Sequence, residues 1–402
     1  MKKLLGIVVL GLLLSGNVFA ESEKVKTWGK NSQIPEEYYN PNLKTLRYHF
    51  LKYNKRGGSS KKFYTKPSSQ PSSLKFNLQK EPKIIKIDAI GKKFKSKIDI
   101  VKVMQSTGLI SYLMYEDGEI VIDQLSPPER FGDLIDNDTM IYSMSLGKSL
   151  GGYLMGHAIC KGYINSLSST LTDWPIVKGT LLETATVQDL INASTGDQNY
   201  IWNNQLDSGR DIGGLSIASI TKKELANTKP GKKRFNYSQF SANVALNYIS
   251  FKTGHKFNSF INDVLKDHVG LAGKLRMNGK GIESKGVIQS NFKATRYDTL
   301  RIGIAILNDW NSDTCIGNYL KDVYANRVIK GYKQGDGYSK SYAGFFHTNY
   351  PGISDTVMGM DGYGGVALLI NFDDNRVVYT HAVHRDYNYR SLVLNAINKG
   401  IF

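Results

Sequence analysis

The chain has 402 residues, of which 41% are hydrophobic and 22% are charged. This ordinary globular mixture excludes wholesale disorder and a polytopic membrane protein, and the length predicts about two to three compact units or one large two-lobed enzyme. The 52 Lys and Arg residues outnumber the 35 Asp and Glu residues and give a net charge of +17. Such a surface is expected to attract polyanions, but the charge alone names no partner.

The first twenty residues have the pattern of a secretory signal peptide. Lys2 and Lys3 form a basic start, residues 4–14 are apolar, and Val18 and Ala20 place small side chains at a cleavage site. We therefore predict cleavage after Ala20 and an exported, soluble protein, periplasmic or secreted. Loss of the two lysines lowers the net charge from +17 to +15. An uncleaved N-terminal anchor is the alternative.

Residues 21–97 form a basic N-terminal extension that is punctuated by Gly, Ser and Pro. We interpret it as a segment that follows the surface of the protein. Its Lys and Arg side chains could dock on an anionic polymer of the cell envelope, whereas a simple solvated face is the alternative.

Regular structure is predicted from residue 98 onward. Residues 109–115 and 120–122 are β-rich runs on either side of Asp117 and Gly118, and an Asp-Gly pair is a strong hairpin signal. Apolar residues at helical spacing over residues 150–158 then predict a helix that faces a core. His157 lies on that face, so we interpret it as a core histidine and not as a ligand.

The middle of the chain is mostly helical and the end returns to strands. Further helices are predicted over residues 187–191, 241–250, 257–265 and 297–307, and a second hairpin over residues 366–370 and 377–379, followed by a terminal helix over residues 389–401. We therefore predict an α/β fold class in which one domain, residues 98–402, has a sheet flanked by helices and a mostly helical insertion at about 150–335.

The two cysteines, Cys160 and Cys315, have no spacing that decides their state. Export would permit a disulfide between them, but the apolar helical pattern around Cys160 favours a buried free thiol. Two cysteines cannot form a four-cysteine zinc site, and the chain has no HExxH motif. No metal site is predicted.

Ser145 and Lys148 form an S-x-x-K motif at the start of the helix predicted after the first sheet segment. A separation of three on a helix makes the hydroxyl and the amine neighbours. A lysine whose pKa is lowered by burial or by the helix dipole can take the proton of a serine nucleophile. The motif also occurs at Ser59, Ser72 and Ser219, but only Ser145 stands between a predicted sheet and a long core-facing helix.

Residues 143–150 and 156–164 resemble the nucleophile helix of the serine β-lactamase-related hydrolases. That family includes class C β-lactamases, D-alanyl-D-alanine peptidases, esterases and 6-aminohexanoate-dimer hydrolases. The resemblance covers roughly residues 98–402. It implies a β-lactamase/transpeptidase-like fold with an antiparallel sheet, and an acyl-enzyme mechanism with Ser145 as nucleophile and Lys148 as base.

The second motif of this family is a Tyr-x-Asn or Tyr-Ser-x sequence before another helix, and Tyr237, Ser238 and Gln239 resemble it. The resemblance implies that Tyr237 passes a proton to the leaving group. Gln239 stands where many members have Asn and would contact substrate. A helix-capping or core tyrosine is the alternative for Tyr237.

Residues 362–366 resemble the third motif, an edge strand that carries Lys-Thr-Gly or His-x-Gly in the family. Tyr363 then takes the place of the Lys or His. The resemblance implies that the N–H of Val366 completes an oxyanion hole with the N–H of Ser145. Gly365 is the alternative if the alignment slips by one residue.

A literal Lys252-Thr253-Gly254 also occurs, but we interpret it as the end of the helix that follows Tyr237. Tyr363 in the third motif offers a substrate carboxylate only a neutral hydrogen bond, where the family lysine offers a charge. Hydrolysis of β-lactams is therefore disfavoured.

The sequence thus predicts an exported serine hydrolase that cleaves a small-molecule carboxylic ester or amide and needs no metal or organic cofactor. One alternative is a β-lactamase or D-alanyl-D-alanine peptidase that acts on cell-wall peptides. Another is a non-catalytic envelope-binding protein of the same fold. Nucleic-acid binding is not expected, because no recognisable motif accompanies the high charge, and no membrane span is expected after signal cleavage.

Overall fold

The computed structural model describes residues 62–64, 100, 103–104, 108–127, 135–197, 221, 225–273, 275–278, 288–331, 338–362, 365–382 and 390–400. The predicted signal peptide, most of the predicted extension and Tyr363 lie outside these residues. Among the helices of the described ranges, none is long and apolar enough to cross a membrane.

An antiparallel sheet of eight strands forms the centre of this structure. Its strands are β2 (Leu109–Glu116), β3 (Glu119–Leu125), β7 (Val328–Ile329), β8 (Ser341–Ala343), β9 (Phe346–Thr348), β10 (Val357–Gly362), β11 (Val366–Asn371) and β12 (Arg376–Ala382). They lie in the order β3-β2-β12-β11-β10-β9-β8-β7. Asp117 and Gly118, both with positive φ, form the predicted β2–β3 turn. Pairing of β2 with β12 joins the early hairpin to the late one, so both predicted hairpins share one sheet.

A smaller antiparallel sheet has the order β1-β5-β6-β4. Its strands are β1 (Lys62–Tyr64), β4 (Ile141–Tyr142), β5 (Arg276–Asn278) and β6 (Phe292–Ala294). Strand β1 comes from the predicted N-terminal extension and pairs with β5. Strand β4 ends three residues before Ser145, so this sheet fixes the chain that leads into the predicted nucleophile.

Seven α-helices occupy the described ranges: α1 (Leu146–Cys160), α2 (Val187–Ile191), α3 (Gln239–Thr253), α4 (Phe257–Asn262), α5 (Arg296–Trp310), α6 (Cys315–Ala325) and α7 (Arg390–Lys399). Each predicted helix is present, although the one expected over residues 257–265 changes to a π-helical segment, Asp263–His268, after α4. Side-chain caps set several starts, because Thr186 and Thr295 accept hydrogen bonds from the third residue of α2 and α5.

Both faces of the large sheet are buried. Alternate residues of one strand enter different apolar clusters, as Leu113 and Leu368 do on one side and Met114 and Leu369 on the other. Helix α5 packs against β11 and β12, while the buried side chains of α7 belong to the second cluster. Burial on two faces explains why these strands read as nearly continuous apolar runs.

Cys160 at the end of α1 and Cys315 at the start of α6 form a disulfide, with their Cα atoms 5.7 Å apart. The expectation of a free thiol at Cys160 is therefore wrong. Packing of α6 against α1 brings the two cysteines together. Because they are 155 residues apart in the sequence, their spacing could not predict this contact.

We expect the double variant Cys160→Ser/Cys315→Ser to lower the free energy of unfolding by about 4 kcal/mol, because the bond closes a long loop in the unfolded chain. Urea denaturation of both proteins, with and without reductant, measures the difference. Reductant should shift the wild-type midpoint and leave the double variant unchanged. Equal midpoints for the oxidised wild type and the variant would contradict the expectation.

His381 on β12 is expected to make the protein sensitive to acid. Its side chain is 3% exposed, and burial lowers its pKa to about 3. In the unfolded chain a histidine has a pKa near 6.5. Below about pH 6.5 the unfolded state therefore binds a proton at this residue, while the native state binds it only near pH 3. This contribution to stability is complete above about pH 6.5 and is lost at about 1.4 kcal/mol per pH unit as the pH falls toward 3.

Urea denaturation between pH 7 and pH 4.5 tests this expectation. His381→Gln should flatten the dependence of stability on pH, whereas His255→Gln, at an exposed position, should leave it as in the wild type. Burial also lowers the pKa of His347, so His381→Gln should remove part of the slope and not all of it. An unchanged slope in His381→Gln would show that His381 makes no contribution.

Candidate active site

The turn between β4 and α1 presents Ser145. The Ser143 N–H donates to the carbonyl of Phe292 at 2.8 Å, and the Ser143 hydroxyl accepts from the N–H of Phe292 at 2.9 Å, which ties the turn to β6. Met144 has φ of 49°, a left-handed conformation that bulky residues seldom adopt. Ser145 follows as the N-cap of α1, where the first N–H groups have no acceptor within the helix.

Gly147 lets the start of α1 approach the backbone of Ser290 and Asn291, the two residues directly before β6. A Cβ atom at this position would lie 2.2 Å from the carbonyl oxygen of Ser290 and 2.7 Å from Cα of Asn291. Only glycine fits without displacement of that backbone. The close approach fixes the start of the helix and with it the position of Ser145.

The Lys148 amine lies 2.9 Å from the Ser145 hydroxyl oxygen. Lys148 is 2% exposed, while Ser145 is partly exposed. The side-by-side placement predicted from the spacing is therefore present, and the geometry suits transfer of a proton between the two groups. The competing matches at Ser59, Ser72 and Ser219 lie outside the described residues.

Tyr237 lies beside this pair. The Lys148 amine is 4.8 Å from the centre of the Tyr237 ring. Ser238, the next residue, caps α3 by accepting a hydrogen bond from the N–H of Phe240 at 3.0 Å. The helix-capping role left open for Tyr237 thus belongs to Ser238. Two helix starts, those of α1 and α3, bring Ser145, Lys148 and Tyr237 together.

The β10–β11 hairpin packs against the nucleophile turn. A Cβ atom on Gly362 would lie 2.7 Å from the carbonyl oxygen of Ser143 and 3.2 Å from Cβ of Met144. Gly362 pairs with Val366, the first residue of β11. Val366 is buried, and Gly365 has φ of 87°. The hairpin end that carries both predicted oxyanion residues therefore adjoins Ser145.

Two further predicted residues are not described at the level of their side chains. Tyr363, in the place of the family Lys or His, lies outside the described residues, and the same holds for the side chain of Gln239. Their roles stay predictions.

Neither a protein-family model nor a curated protein sequence matches the chain. Solved structures do match. A Bacillus anthracis protein assigned as a 6-aminohexanoate-dimer hydrolase has a TM-score of 0.61 and 18% identity, over 88% of this chain and 92% of its own. A penicillin-binding protein from Bacillus halodurans has a TM-score of 0.56 and 15% identity, over 74% and 99% of the two chains. A D-stereospecific amidohydrolase from Streptomyces has a TM-score of 0.55 and 12% identity, over 75% and 97%.

The chain has the β-lactamase/transpeptidase fold. These neighbours fit the serine β-lactamase-related hydrolases that the three motifs resemble, and the predicted fold class is confirmed.

Within this fold, the literal Lys252-Thr253-Gly254 is a helix end, as predicted. Gly254 has φ of 55° and is the C-cap of α3. Lys252 donates a hydrogen bond to the carboxylate of Asp173, which also accepts one from the Tyr248 hydroxyl at 2.8 Å. Tyr237 precedes the opposite end of the 15-residue helix, a distance of about 22 Å.

A buried polar cluster that no motif predicted lies beside the short strands β7 to β9, where Lys330 follows β7, Ser339 precedes β8 and His347 is on β9. The Lys330 amine lies 2.8 Å from Nδ1 of His347, and the Ser339 hydroxyl lies 3.0 Å from the same nitrogen. Burial, followed by the charges of Lys330 and Lys148, holds the pKa of His347 well below its usual range. The Tyr342 ring packs against His347, with centres 5.2 Å apart, and against Tyr237, with centres 6.1 Å apart, so the cluster borders the candidate site. Its members are spread over 18 residues, so no local motif signals it.

Proposed function

We propose that this protein is an exported serine hydrolase that cleaves a carboxylic ester or amide through an acyl-enzyme on Ser145. The observation that carries the proposal is the 2.9 Å approach of the buried Lys148 amine to the Ser145 hydroxyl at a helix start. A serine is a weak nucleophile until an adjacent base takes its proton, and the arrangement provides such a base.

In the proposed reaction, the Ser145 oxygen attacks the carbonyl carbon of the substrate as its proton passes to the nitrogen of Lys148. The carbonyl oxygen becomes an oxyanion, which the N–H groups of Ser145 and Val366 would stabilise, or Gly365 in place of Val366. Collapse of the tetrahedral intermediate breaks the bond to the leaving group, which receives a proton through Tyr237. Water then attacks the carbonyl carbon of the acyl-enzyme and gives a proton to the Lys148 nitrogen. The bond to the Ser145 oxygen breaks, this oxygen regains a proton, and the carboxylic acid is released.

Export and substrate class rest on separate observations. The disulfide between Cys160 and Cys315 supports an oxidising compartment, in agreement with the predicted signal peptide. The neutral Tyr363 in the third motif supports a substrate without a carboxylate at that point. Two of the structural neighbours are described as a dimer hydrolase and an amidohydrolase, which is compatible with amide cleavage.

Intact mass spectrometry after exposure to a fluorophosphonate, a reagent that labels activated serines, tests the proposal. We expect one adduct on the mature protein, mapped to the peptide that contains Ser145, and none on Ser145→Ala. Ser149→Ala is the matched control, since its buried hydroxyl lies one turn further along α1 and donates to the carbonyl of Phe345 at 2.7 Å.

The outcomes separate the alternatives. An adduct on the wild type and on Ser149→Ala, but not on Ser145→Ala, supports the acyl-enzyme. An adduct that persists in Ser145→Ala, or no adduct on any protein, contradicts it. In the second case, strongly salt-dependent binding of anionic polymers without turnover would favour the envelope-binding alternative. Acylation of Ser145 by penicillin would instead favour the β-lactamase or peptidase alternative.

A further inference from the structure

A second group of chemically able side chains lies far along α1 from the nucleophile. His157 is in the last turn of α1, His268 ends the π-helical segment, and Asp309 is in the last turn of α5. One ligating atom from each of the three lies within 4.8 Å of the other two. His157 is twelve residues from Ser145, a distance of about 18 Å along the helix. The group is therefore separate from the candidate active site.

His157 has a buried nitrogen without a partner. The residue is 6% exposed, and within the described ranges its Nε2 atom makes no hydrogen bond. A buried polar atom in this state is unfavourable and calls for an explanation. The His157 ring packs against that of His268, with the ring centres 4.7 Å apart, so the unpartnered nitrogen lies beside a second potential ligand.

Asp309 is held in place by a buried hydroxyl and pairs with His268. Nε2 of His268 lies 2.9 and 3.0 Å from the two carboxylate oxygens of Asp309. The Tyr153 hydroxyl donates a hydrogen bond to the same carboxylate. A hydrogen bond of this kind to a ligating carboxylate is typical of the surroundings of metal ions in proteins.

A cavity of about 260 Å³ reaches the two histidines of the group, and its walls include His157, His268 and the Cys160–Cys315 disulfide. The side chain of His268 is 41% exposed, so an ion can reach it from solvent. Lys161 also lines the cavity and opposes a cation, but it pairs with the carboxylate of Asp263 at 3.5 Å.

We propose that His157, His268 and Asp309 bind a divalent transition-metal ion of the Zn²⁺ type, with a further position open to water from the cavity. Two imidazoles and one carboxylate suit Zn²⁺, whereas Ca²⁺ and Mg²⁺ prefer oxygen ligands alone. Ligands in a tetrahedral Zn²⁺ site lie about 3.3 Å apart. Nε2 of His268 lies 2.9 and 3.0 Å from the Asp309 oxygens, so an ion would replace their hydrogen bond and widen this separation by about 0.3 Å. His157 needs a movement of about 1 to 2 Å, within reach of side-chain rotation.

The bound ion would join three elements that are distant in sequence. It would connect the end of α1, the π-helical segment and the end of α5 beside the disulfide. Its expected effect is on stability, since a ligand that binds only the native state raises the melting temperature. The inference does not depend on the chemistry of Ser145, so a failure of one leaves the other unaffected.

Isothermal titration calorimetry with ZnCl₂ tests the proposal on the tag-free mature chain after treatment with EDTA. We expect one Zn²⁺ per chain and an increase in the melting temperature. His268→Gln, at a half-exposed position that the fold tolerates, should weaken Zn²⁺ binding at least about tenfold, and so should His157→Gln. His255→Gln, which removes an exposed histidine elsewhere, is the matched control and should bind as the wild type does.

Visible absorption with Co²⁺ gives a second readout. A Co²⁺ ion bound to nitrogen and oxygen ligands in a four-coordinate site should produce an intense band that His268→Gln removes and His255→Gln keeps. Absence of saturable Zn²⁺ binding, or equal affinity in the wild type and His268→Gln, would overturn the assignment. If His157→Gln fails to fold, His268→Gln still decides the question.

Discussion

Replacement of Lys148 by methionine is expected to reduce the rate of Ser145 acylation by about 10³- to 10⁴-fold. Methionine keeps an unbranched apolar chain in a site where the lysine is 2% exposed, so the fold should be preserved. The substitution removes the amine that lies 2.9 Å from the Ser145 hydroxyl. Without it, the serine proton has no adjacent acceptor. The rate of fluorophosphonate labelling measures the effect without knowledge of the natural substrate.

Lys252→Met is the matched control for this prediction. Lys252 belongs to the literal Lys-Thr-Gly sequence, but it pairs with Asp173 at the far end of α3. We expect labelling at the wild-type rate in this variant. Equal loss in both variants, or an unchanged rate in Lys148→Met, would show that Lys148 is not the base. Circular dichroism of each variant verifies that the fold is retained.

Arg296→Met is expected to lower the free energy of unfolding by about 3 to 5 kcal/mol. Arg296 begins α5 and is 1% exposed. Its guanidinium pairs with the Asp123 carboxylate at 2.7 Å and donates to the Gln124 carbonyl at 2.8 Å and the Ser111 hydroxyl at 2.9 Å. Methionine fills part of the volume but removes the charged partner of the Asp123 carboxylate and a donor to the Gln124 carbonyl, and this loss dominates the cost. The carboxylate keeps the hydrogen bond from the Tyr297 hydroxyl at 2.6 Å.

Urea denaturation of Arg296→Met against Arg327→Met measures that loss. Arg327 is exposed, and its replacement should change stability by less than about 0.5 kcal/mol. Similar midpoints for the two variants would contradict the assignment of Arg296 as the group that joins α5 to β2 and β3. Restoration of stability in Arg296→Lys would be partial, because an ammonium cannot reproduce the geometry of the guanidinium.

Features that depend on neighbouring residues were predictable from the sequence. The hairpin at Asp117 and Gly118 needs positive φ at two adjacent positions, and the Asp-Gly pair signals this directly. Helices such as α2 and α3 followed from apolar spacing. The proximity of Ser145 and Lys148 follows from a separation of three on a helix, once a helix is placed there.

Short strands were harder to predict. Strands β7, β8 and β9 have two or three residues each, too few for alternation to be visible. The polar cluster of Lys330, Ser339 and His347 depends on their pairing and was missed for that reason. Strand β1 lies in the segment 21–97, whose basic composition predicts a surface extension. Its pairing with β5 could not be predicted, because the two strands are more than 200 residues apart in the sequence.

The sequence by itself determined the two hairpins, the order of the helices and the Ser145–Lys148 pair, since each depends on contacts within a few residues. It also determined the family that the motifs resemble, since each motif is a short continuous stretch. The resemblance implied that Tyr237 shares the site with Lys148, whereas the tertiary structure alone decided the 4.8 Å distance between the Lys148 amine and the Tyr237 ring and the contact of Cys160 with Cys315. It also decided that His157, interpreted as a plain core histidine, faces His268 and Asp309. These contacts join helices whose separation along the chain leaves no periodicity or spacing to read, because packing of side chains brings them together.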